Sequence, residues 1–360
     1  MVRDKPSIPA KRPIDKLTLE WRAFLAALSD RDTLRRAVLC LIPTGGPIVV
    51  GAAMGQAEAG LIGGVTGLLL YFADADGGLR QRFSILALCS AGLFAGVLAG
   101  HLLENHQALF WIVFAASAFA AGFLYRVGKA QAMAMRLAAL AMIVSAGIAQ
   151  VDPHLIVFAL GGAALVAVTR LADQWLFGPL PQLRSPVGMA PPMDDGWARF
   201  ALAYASAAVA GLWIGMELDP RHALWVVVTT MLVMQPDAHS SYVRVVERTA
   251  GTFAGVMGAW LVVKLFGSPA LLCVAVVFLS LLTPHHFARR YWLHTAVITA
   301  LILIAYDLIE FGSNHVSGLL VERVQDMLVG SSLAVIATAA AFPREKRLSE
   351  DTPPRRKRKG

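Results

Sequence analysis

Five charged or titratable residues stand close together between two apolar stretches of this sequence, in the segment QPDAHSSYVRVVERTAGTFAG. They are Asp237, His239, Arg244, Glu247 and Arg248. Arg244 and Arg248 are four residues apart, so they share one face if the segment is helical. Guanidinium groups are suited to hold a carboxylate through two parallel hydrogen bonds. The segment therefore predicts a place that attracts or binds an anion; alternatively, these loop arginines only fix the topology of the chain.

The apolar run before this segment, ALWVVVTTMLVMQPD, has polar positions of its own. The hydroxyl of Thr229 either returns a hydrogen bond to the backbone or faces a cavity. Gln235 and Pro236 follow, and because proline has no N–H to donate, the helix is expected to stop there. Asp237 is then expected at the edge of the membrane.

A glycine face follows the arginines, and its sequence occurs twice in the chain. Gly251 and Gly255, with Thr252 beside them, belong to AGTFAG, and AGLFAG covers residues 91–96. Small residues four positions apart allow another helix to approach closely. An acid and arginines also precede AGLFAG, among them Asp74 and Arg82. The recurrence predicts a duplicated bundle.

Titratable groups in or beside apolar runs are candidates for carrying protons, because burial raises the pKa of an acid. We select four such residues, Asp237, Glu247, His294 and Asp307. The alternative for acids at the ends of spans is ordinary solvation. For His294 the alternative is a structural hydrogen bond.

Two prolines interrupt the first apolar run. Pro43 and Pro47 frame the sequence PTGGP, which lacks backbone donors in the middle of a span. A helix broken there would expose backbone groups to a ligand, whereas a kink would serve packing only.

The composition excludes an ordinary soluble protein. Of 360 residues, 57% are hydrophobic and only 16% are charged, and the mean hydropathy is +0.60. The three cysteines lie in apolar runs without disulfide or metal-site spacing, and we find no nucleophile with a matching base. We therefore predict no metal, no cofactor and no enzyme activity. The first 33 residues are charged and polar, unlike a cleavable signal peptide.

Twelve apolar stretches are candidate membrane spans, since a helix needs roughly 20 residues to cross and fewer in a tightly packed bundle. The first six are residues 35–54, 58–73, 83–103, 107–125, 133–149 and 154–170. The second six are residues 198–216, 221–236, 246–266, 269–284, 291–310 and 325–342. We predict an all-α fold, a polytopic transmembrane bundle of about twelve spans in two parallel six-helix repeats.

The distribution of positive charge orients these spans. With the N-terminus in the cytoplasm, 29 of the 32 Lys and Arg residues fall inside, among them Arg126, Lys129, Arg136 and Arg170. Only Arg221, Lys264 and Arg323 fall outside. This predicts that both termini are cytoplasmic. It also places the net charge of +8 where it fixes topology, so nucleic acid is not an expected partner.

The predicted organisation has five parts. Residues 1–33 are a cytoplasmic segment in which residues 17–28 form an amphipathic helix suited to the inner leaflet. The other parts are a first repeat over 34–170, a Pro- and Gly-rich linker over 171–196, a second repeat over 197–342 and a basic tail over 343–360.

The second half resembles the superfamily of fusaric acid resistance proteins and aromatic acid exporters. The family pattern is a span headed by tryptophan that runs through threonine to a proline, then an arginine and an Arg-x-x-Gly-Thr-x-x-Gly turn. The matching residues are Trp225, Thr229, Pro236, Arg244, Arg248, Gly251, Thr252 and Gly255. A later Arg-x-x-Asp-x-x-x-Gly segment is matched by Arg323, Asp326 and Gly330. In the first half, AGLFAG lacks the threonine and its arginine lies farther upstream.

The resemblance implies a bacterial inner-membrane exporter of small organic anions, in particular aromatic carboxylic acids, driven by protons. We assign the anion path to Arg244, Arg248, Asp237, Thr229, Gln235, His239, Arg323, Asp326, Asp74 and Arg82, although the predicted topology puts Arg323 on the opposite side of the membrane. We assign helix packing and gating to Gly251, Thr252, Gly255, Gly330, Pro43 and Pro47.

Other functions stay open at this point. A passive organic-anion channel is one alternative, since the resemblance also implies distant kinship to plant malate channels. A non-transporting membrane enzyme or scaffold is another. The expected partners are the anion and membrane lipid, and the sequence leaves open a homo-oligomer and a periplasmic adaptor.

Overall fold

The computed structural model of the chain describes residues 30–73, 78–146, 152–178, 196–218, 220–287, 291–309 and 316–342. These residues are almost entirely helical, and none of them lies in a β-strand. We number the α-helices in chain order. The first half contains α1 Arg31–Ala53, α2 Ala57–Ala73, α3 Leu79–Leu103, α4 Gln107–Phe123, α5 Lys129–Ala146 and α6 Pro153–Phe177. The second half contains α7 Trp197–Leu218, α8 Pro220–Val233, α9 Ala238–Leu265, α10 Pro269–Phe287, α11 Tyr291–Ile309 and α12 Val316–Ala341.

Each predicted span coincides with one of these helices, so the expected all-α bundle is confirmed. The main differences are at helix ends: α9 begins eight residues before its predicted span and α12 nine residues before. Helix α6 continues to Phe177, inside the segment predicted as a linker. Hydropathy detects only the apolar part of a helix, whereas backbone hydrogen bonds continue into its polar ends. The predicted amphipathic helix, Asp74 and the basic tail lie outside the described residues.

Side-chain caps fix where several helices begin. The Asp30 carboxylate accepts a hydrogen bond from the Thr33 N–H at 3.0 Å and so starts α1. Asp152 caps α6 through the His154 N–H at 2.9 Å, with Pro153 at the first helical position. Such caps satisfy N–H groups that the first helical turn leaves without partners.

The outer surface of the bundle is apolar. Eight of the described helices are long and apolar enough to cross a membrane, and α2 and parts of α8 and α10 are shorter apolar helices. Large apolar side chains point outward and are more than half exposed, including Leu98, Ile112, Val157, Phe253 and Val274. A soluble protein does not expose apolar surface on this scale. The chain is therefore a multi-pass membrane protein.

Helix pairings in the first half recur in the second. Helix α1 packs on α2, α3 on α5 and α2 on α6, and correspondingly α7 packs on α8, α9 on α11 and α8 on α12. Contacts between the halves also come in matching pairs: α1 meets α10 as α7 meets α4, and α2 meets α11 as α8 meets α5. On this pattern we propose that the halves are repeats related by a pseudo-two-fold axis.

Two hydrophobic clusters join the halves. One contains Phe114 of α4, Met142 of α5, Tyr204 of α7, Met231 of α8 and Ala337 of α12. The other contains Ile48 of α1, Leu61 of α2, Val256 of α9, Leu272 of α10 and Leu301 of α11. Because each cluster draws residues from both halves, the core of the bundle lies across their interface.

The repeated glycine motifs lie at two equivalent helix contacts. In each, glycines of one helix face backbone carbonyls of its neighbour, so no side chain separates them. The facing pairs are Gly92 with Ala134, Gly96 with Ala138, Gly251 with Trp292 and Gly255 with Ala296. We call these contacts the α3–α5 seam and the α9–α11 seam. Thr252 is buried beside the second seam.

The prolines of α1 do not break the helix. Helix α1 is continuous through Pro43 and Pro47, so the structure favours the packing alternative over the broken helix. The Pro43 carbonyl lies against Gly67 of α2, and the Pro47 carbonyl lies against Gly60. Because these glycines allow α2 to cover the carbonyls, the backbone here serves packing and is not open to a ligand.

The α9–α11 seam predicts how two alanine substitutions on one helix will differ. In Gly255→Ala the added carbon would lie 2.5 Å from the Ala296 oxygen and 2.7 Å from Thr299 Cβ. Overpacking of this kind costs roughly 1–3 kcal/mol, so the unfolding midpoint in detergent should fall. Gly258→Ala is the control, since nothing lies within 4 Å of its added carbon. An equal fall in both variants would contradict a tight seam.

Candidate functional site

The polar turn between α8 and α9 is held by its own hydrogen bonds. The Gln235 N–H donates to the Ser241 hydroxyl at 2.9 Å. The Gln235 side-chain amide donates to the Met234 carbonyl at 2.8 Å. Gln235 therefore closes the end of α8, and its amide is engaged with the backbone.

Asp237 is the N-cap of α9. Its carboxylate accepts a hydrogen bond from the Ser240 N–H at 3.0 Å, and its backbone is extended. His239 lies in the first turn of α9 and is exposed. Asp237 thus has a structural role that its position after Pro236 did not reveal.

The two predicted arginines face α11. The guanidinium carbon of Arg244 lies 5.1 Å from the centroid of the Tyr291 ring. The Tyr291 hydroxyl is within hydrogen-bonding reach of Arg248 and lies beside Thr295. The Nε atoms of both arginines are buried and have no hydrogen-bond acceptor among the described residues. An anion between α9 and α11 would supply such an acceptor.

A third arginine joins this group from α12. The guanidinium of Arg323 lies over the Trp225 ring, 3.1 Å from its centroid, and 5.9 Å from that of Tyr306. The rings of Trp225 and Tyr306 meet edge to face at 6.3 Å. Arg323 is also close enough to Arg248 for their positive charges to interact. The predicted separation of Arg323 on the opposite side is therefore wrong, because α9 and α12 bring both side chains into one interface.

Helix α12 is held against α8 where its glycine lies. Gly330 faces the Val226 carbonyl and the Thr229 side chain, which leave no room for a larger residue. The hydroxyl of Thr230, rather than Thr229, donates to the Val226 and Gly330 carbonyls at 2.9 and 3.2 Å. Asp326 is buried, one turn after Arg323 on the same helix. This contact fixes the position of α12 along α8 and therefore the level at which Arg323 meets Trp225.

Comparison with known families agrees with the position of this arginine group. Residues 202–337, from α7 into α12, match the sequence profile of the family described as fusaric acid resistance protein-like. This region is therefore similar to that family. Arg244, Arg248, Arg323 and Tyr291 all lie within it.

Two curated relatives show similarity over part of the chain. An uncharacterized protein of Haemophilus influenzae is 29% identical over 127 residues, which is 35% of this chain and 17% of that protein. An uncharacterized protein of Synechocystis is 28% identical over 164 residues, which is 44% of this chain and 21% of that protein. The matched parts thus cover about a fifth of the length of these relatives. No solved structure matches the chain.

The first half does not repeat the arginine pair of the second half. Aligning the two seams at Gly92 and Gly251 puts Ile85 and Cys89 where Arg244 and Arg248 stand. Arg82, the predicted counterpart, corresponds to Ser241 instead and is buried in the first turn of α3. The glycines repeat in register, but the charges do not.

The described proton-carrier candidates differ in their surroundings. Glu247 is half-buried near Arg244. His294 is buried, with Nδ1 3.2 Å from the Thr283 carbonyl and its ring against Phe72 of α2. Asp307 is buried in the last turn of α11. Their participation in proton transfer stays a prediction.

Sequence reasoning missed the aromatic part of the site. Tyr291 is three residues before His294, so it could have been placed on the same helical face. Trp225 was recognised only as part of the family pattern, and Tyr306 carried no signal. Their partners come from helices distant in sequence, so residue spacing could not identify them.

Two substitutions of Asp237 distinguish its role as the N-cap of α9 from a role in proton coupling. Asp237→Asn keeps the capping oxygen and removes the titratable group, so a cap alone predicts unchanged stability and unchanged transport. Asp237→Ala removes the cap and should cost about 1 kcal/mol of stability. Unfolding midpoints and flux, measured together for both variants, check this. Loss of flux in the asparagine variant at normal stability would instead assign proton coupling to Asp237.

Proposed function

We propose that this chain exports small organic anions, in particular aromatic carboxylic acids, across the bacterial inner membrane, with protons as the driving ions. The observation that carries the proposal is the convergence of Arg244, Arg248 and Arg323 with aromatic rings inside one helix interface. Support comes also from the family match over residues 202–337.

The arginines form a path that an anion can follow. Arg244 and Arg248 lie one turn apart, about 6 Å along α9, and Arg323 approaches Arg248 from α12. A carboxylate can move between such neighbours without losing all its charge-assisted hydrogen bonds. The buried Nε donors of Arg244 and Arg248 are available to it.

The rings beside the arginines favour an aromatic substrate. Tyr291 lies at Arg244, and Trp225 and Tyr306 lie at Arg323. An aromatic acid can place its carboxylate on a guanidinium and its ring against these side chains. An aliphatic acid of equal charge gains only the first interaction.

Proton coupling is assigned to groups near this path. In our proposal Glu247, His294, Asp307 and Asp326 take up or release protons as the anion passes. The anion and membrane lipid are the proposed partners, and further copies of the chain or a periplasmic adaptor would extend the assembly. Both termini are proposed to be cytoplasmic.

A passive organic-anion channel is the second candidate. The succession of arginines along one interface favours it, because anions bound at adjacent sites repel one another and so leave more quickly. A channel gives current without any proton requirement. A scaffold, the third candidate, gives neither flux nor current.

Purified protein in liposomes tests the proposal. Benzoate, other aromatic acids and matched aliphatic acids are loaded, and their release is measured with and without an imposed pH gradient. We expect faster release of aromatic acids, which increases with the gradient. Release that does not depend on the pH gradient and that carries current identifies a channel. Absence of both release and current for every anion refutes transport.

Removing one arginine should reduce flux selectively. In Arg248→Met, the loss of a charge-assisted hydrogen bond of roughly 1.5–3 kcal/mol should reduce flux about 10- to 100-fold, with little change in stability. Lys264→Met removes a positive charge from an exposed position of the same helix and serves as the control. Equal flux in the two variants would remove Arg248 from the path.

Trp225 should affect discrimination between substrates. In Trp225→Leu the aromatic surface at Arg323 is lost, while the guanidinium stays. We expect the preference for aromatic over aliphatic acids to fall several-fold, with smaller change in the aliphatic flux. Competition assays with paired acids measure this, and an unchanged preference would place the ring-binding region elsewhere.

A further inference from the structure

A buried arginine of the first half, Arg136, lies far along the sequence from the proposed transport path. Arg136 stands in α5, two turns from its start, and only 6% of its surface is exposed. Sequence analysis counted it among the cytoplasmic charges that orient the spans. The structure instead directs it into the interface with α7 and α8 of the second half.

Two tyrosines are the partners of Arg136. Its Nε–H donates to the Tyr204 hydroxyl at 2.9 Å, and one terminal nitrogen donates to the Tyr125 hydroxyl. The Tyr204 hydroxyl in turn donates to the Met231 carbonyl at 2.8 Å. The guanidinium also lies 5.5 and 5.8 Å from the centroids of the two tyrosine rings.

No carboxylate neutralises this charge among the described residues. Among the described residues, the guanidinium of Arg136 interacts only with Tyr125 and Tyr204, whose phenol groups are neutral. A buried cation without a counter-charge is strongly unfavourable in a bundle surrounded by lipid. Phenol hydroxyls satisfy hydrogen bonds but do not remove the net charge. A negative charge beside Arg136 would therefore be stabilised by it.

The guanidinium of Arg136 has further N–H groups that can donate to an anion. A guanidinium has five N–H groups, and the two hydrogen bonds to tyrosine use only two of them. Tyr125 accepts from Arg136, so its own O–H remains able to donate, and this residue is only half-buried. An anion beside Tyr125 would receive donors from both side chains.

We propose that Arg136, Tyr125 and Tyr204 form a binding site for a small monovalent anion such as chloride. Because this site adjoins α7 and α8, a bound anion would also affect how the two halves are held together. Tyr204 is bonded to the last turn of α8, just before the Gln235–Asp237 turn, so a bound anion would hold the two halves together at that end. The site is separate from the arginine group of α9 and α12 and does not depend on transport.

Chloride alone is the probe. The unfolding midpoint of the purified protein is measured in detergent as gluconate is replaced by chloride at constant ionic strength. A ligand that binds only the folded state raises the midpoint in a saturable manner. We expect a rise of several degrees for the wild type. In Arg136→Met we expect most of this chloride response to be lost.

Two further variants keep the test decisive. Arg126→Met removes an exposed arginine next to Tyr125 in the sequence and should respond to chloride like the wild type. Tyr125→Phe removes one donor without disturbing the buried Tyr204, and should need roughly tenfold more chloride for half its effect. This variant replaces Arg136→Met if the latter does not fold. No chloride response in the wild type, or equal responses in wild type and the Arg136 or Tyr125 variants, overturns the proposal.

Discussion

Positive charge held between helices of a lipid-surrounded bundle is the constraint on which the rest of this structure depends. Arg136, Arg248 and Arg323 lie against tyrosine hydroxyls or aromatic rings, and for Arg323 the carboxylates of Asp326 and Glu322 are also close enough to interact with its charge. A cation–π contact contributes about 0.5–2 kcal/mol, whereas removing a cation from water costs several kcal/mol. The difference favours an anion that can reach these groups. This imbalance is the physical basis of the anion binding that we propose.

Close helix contact allows short-range chemistry between elements that are distant in sequence. At the α9–α11 seam, Gly251 and Gly255 lie directly against backbone carbonyls, so Arg244 and Arg248 reach Tyr291 across the gap. Gly330 does the same for α12 and α8, and thereby sets Arg323 over Trp225. We predict that these glycine contacts are also where one helix slides along another. The same residues would then govern both the position of the arginines and the motion.

The sequence allowed the helices, the two seams and the arginine pair of α9 to be predicted, since each depends on composition or on spacing within one helix. It did not allow Arg323 to be placed, because hydropathy put the start of its span at residue 325, whereas α12 begins at Val316 and includes that arginine. Arg136 was misread for a related reason. Its position near the start of a span is typical of a topology-fixing charge, and only the packing of α5 on α8 shows that it is buried. Which side chains meet between two helices depends on how the helices pack, and spacing along the sequence does not determine that.

The two halves are alike in how their helices pack, but they differ in the charged residues at corresponding positions. Two residues beyond the seam contacts Ala134 and Trp292, the first half has Arg136 and the second has His294, and each points toward the other half. One of these groups carries a permanent charge and the other can be neutral, because only histidine titrates near neutral pH. Ile85 and Cys89 stand at the positions of α3 that correspond to the arginine pair of α9. Equivalent positions of the two halves therefore carry different groups, and the arginine pair that we propose for the anion path belongs to the second half alone.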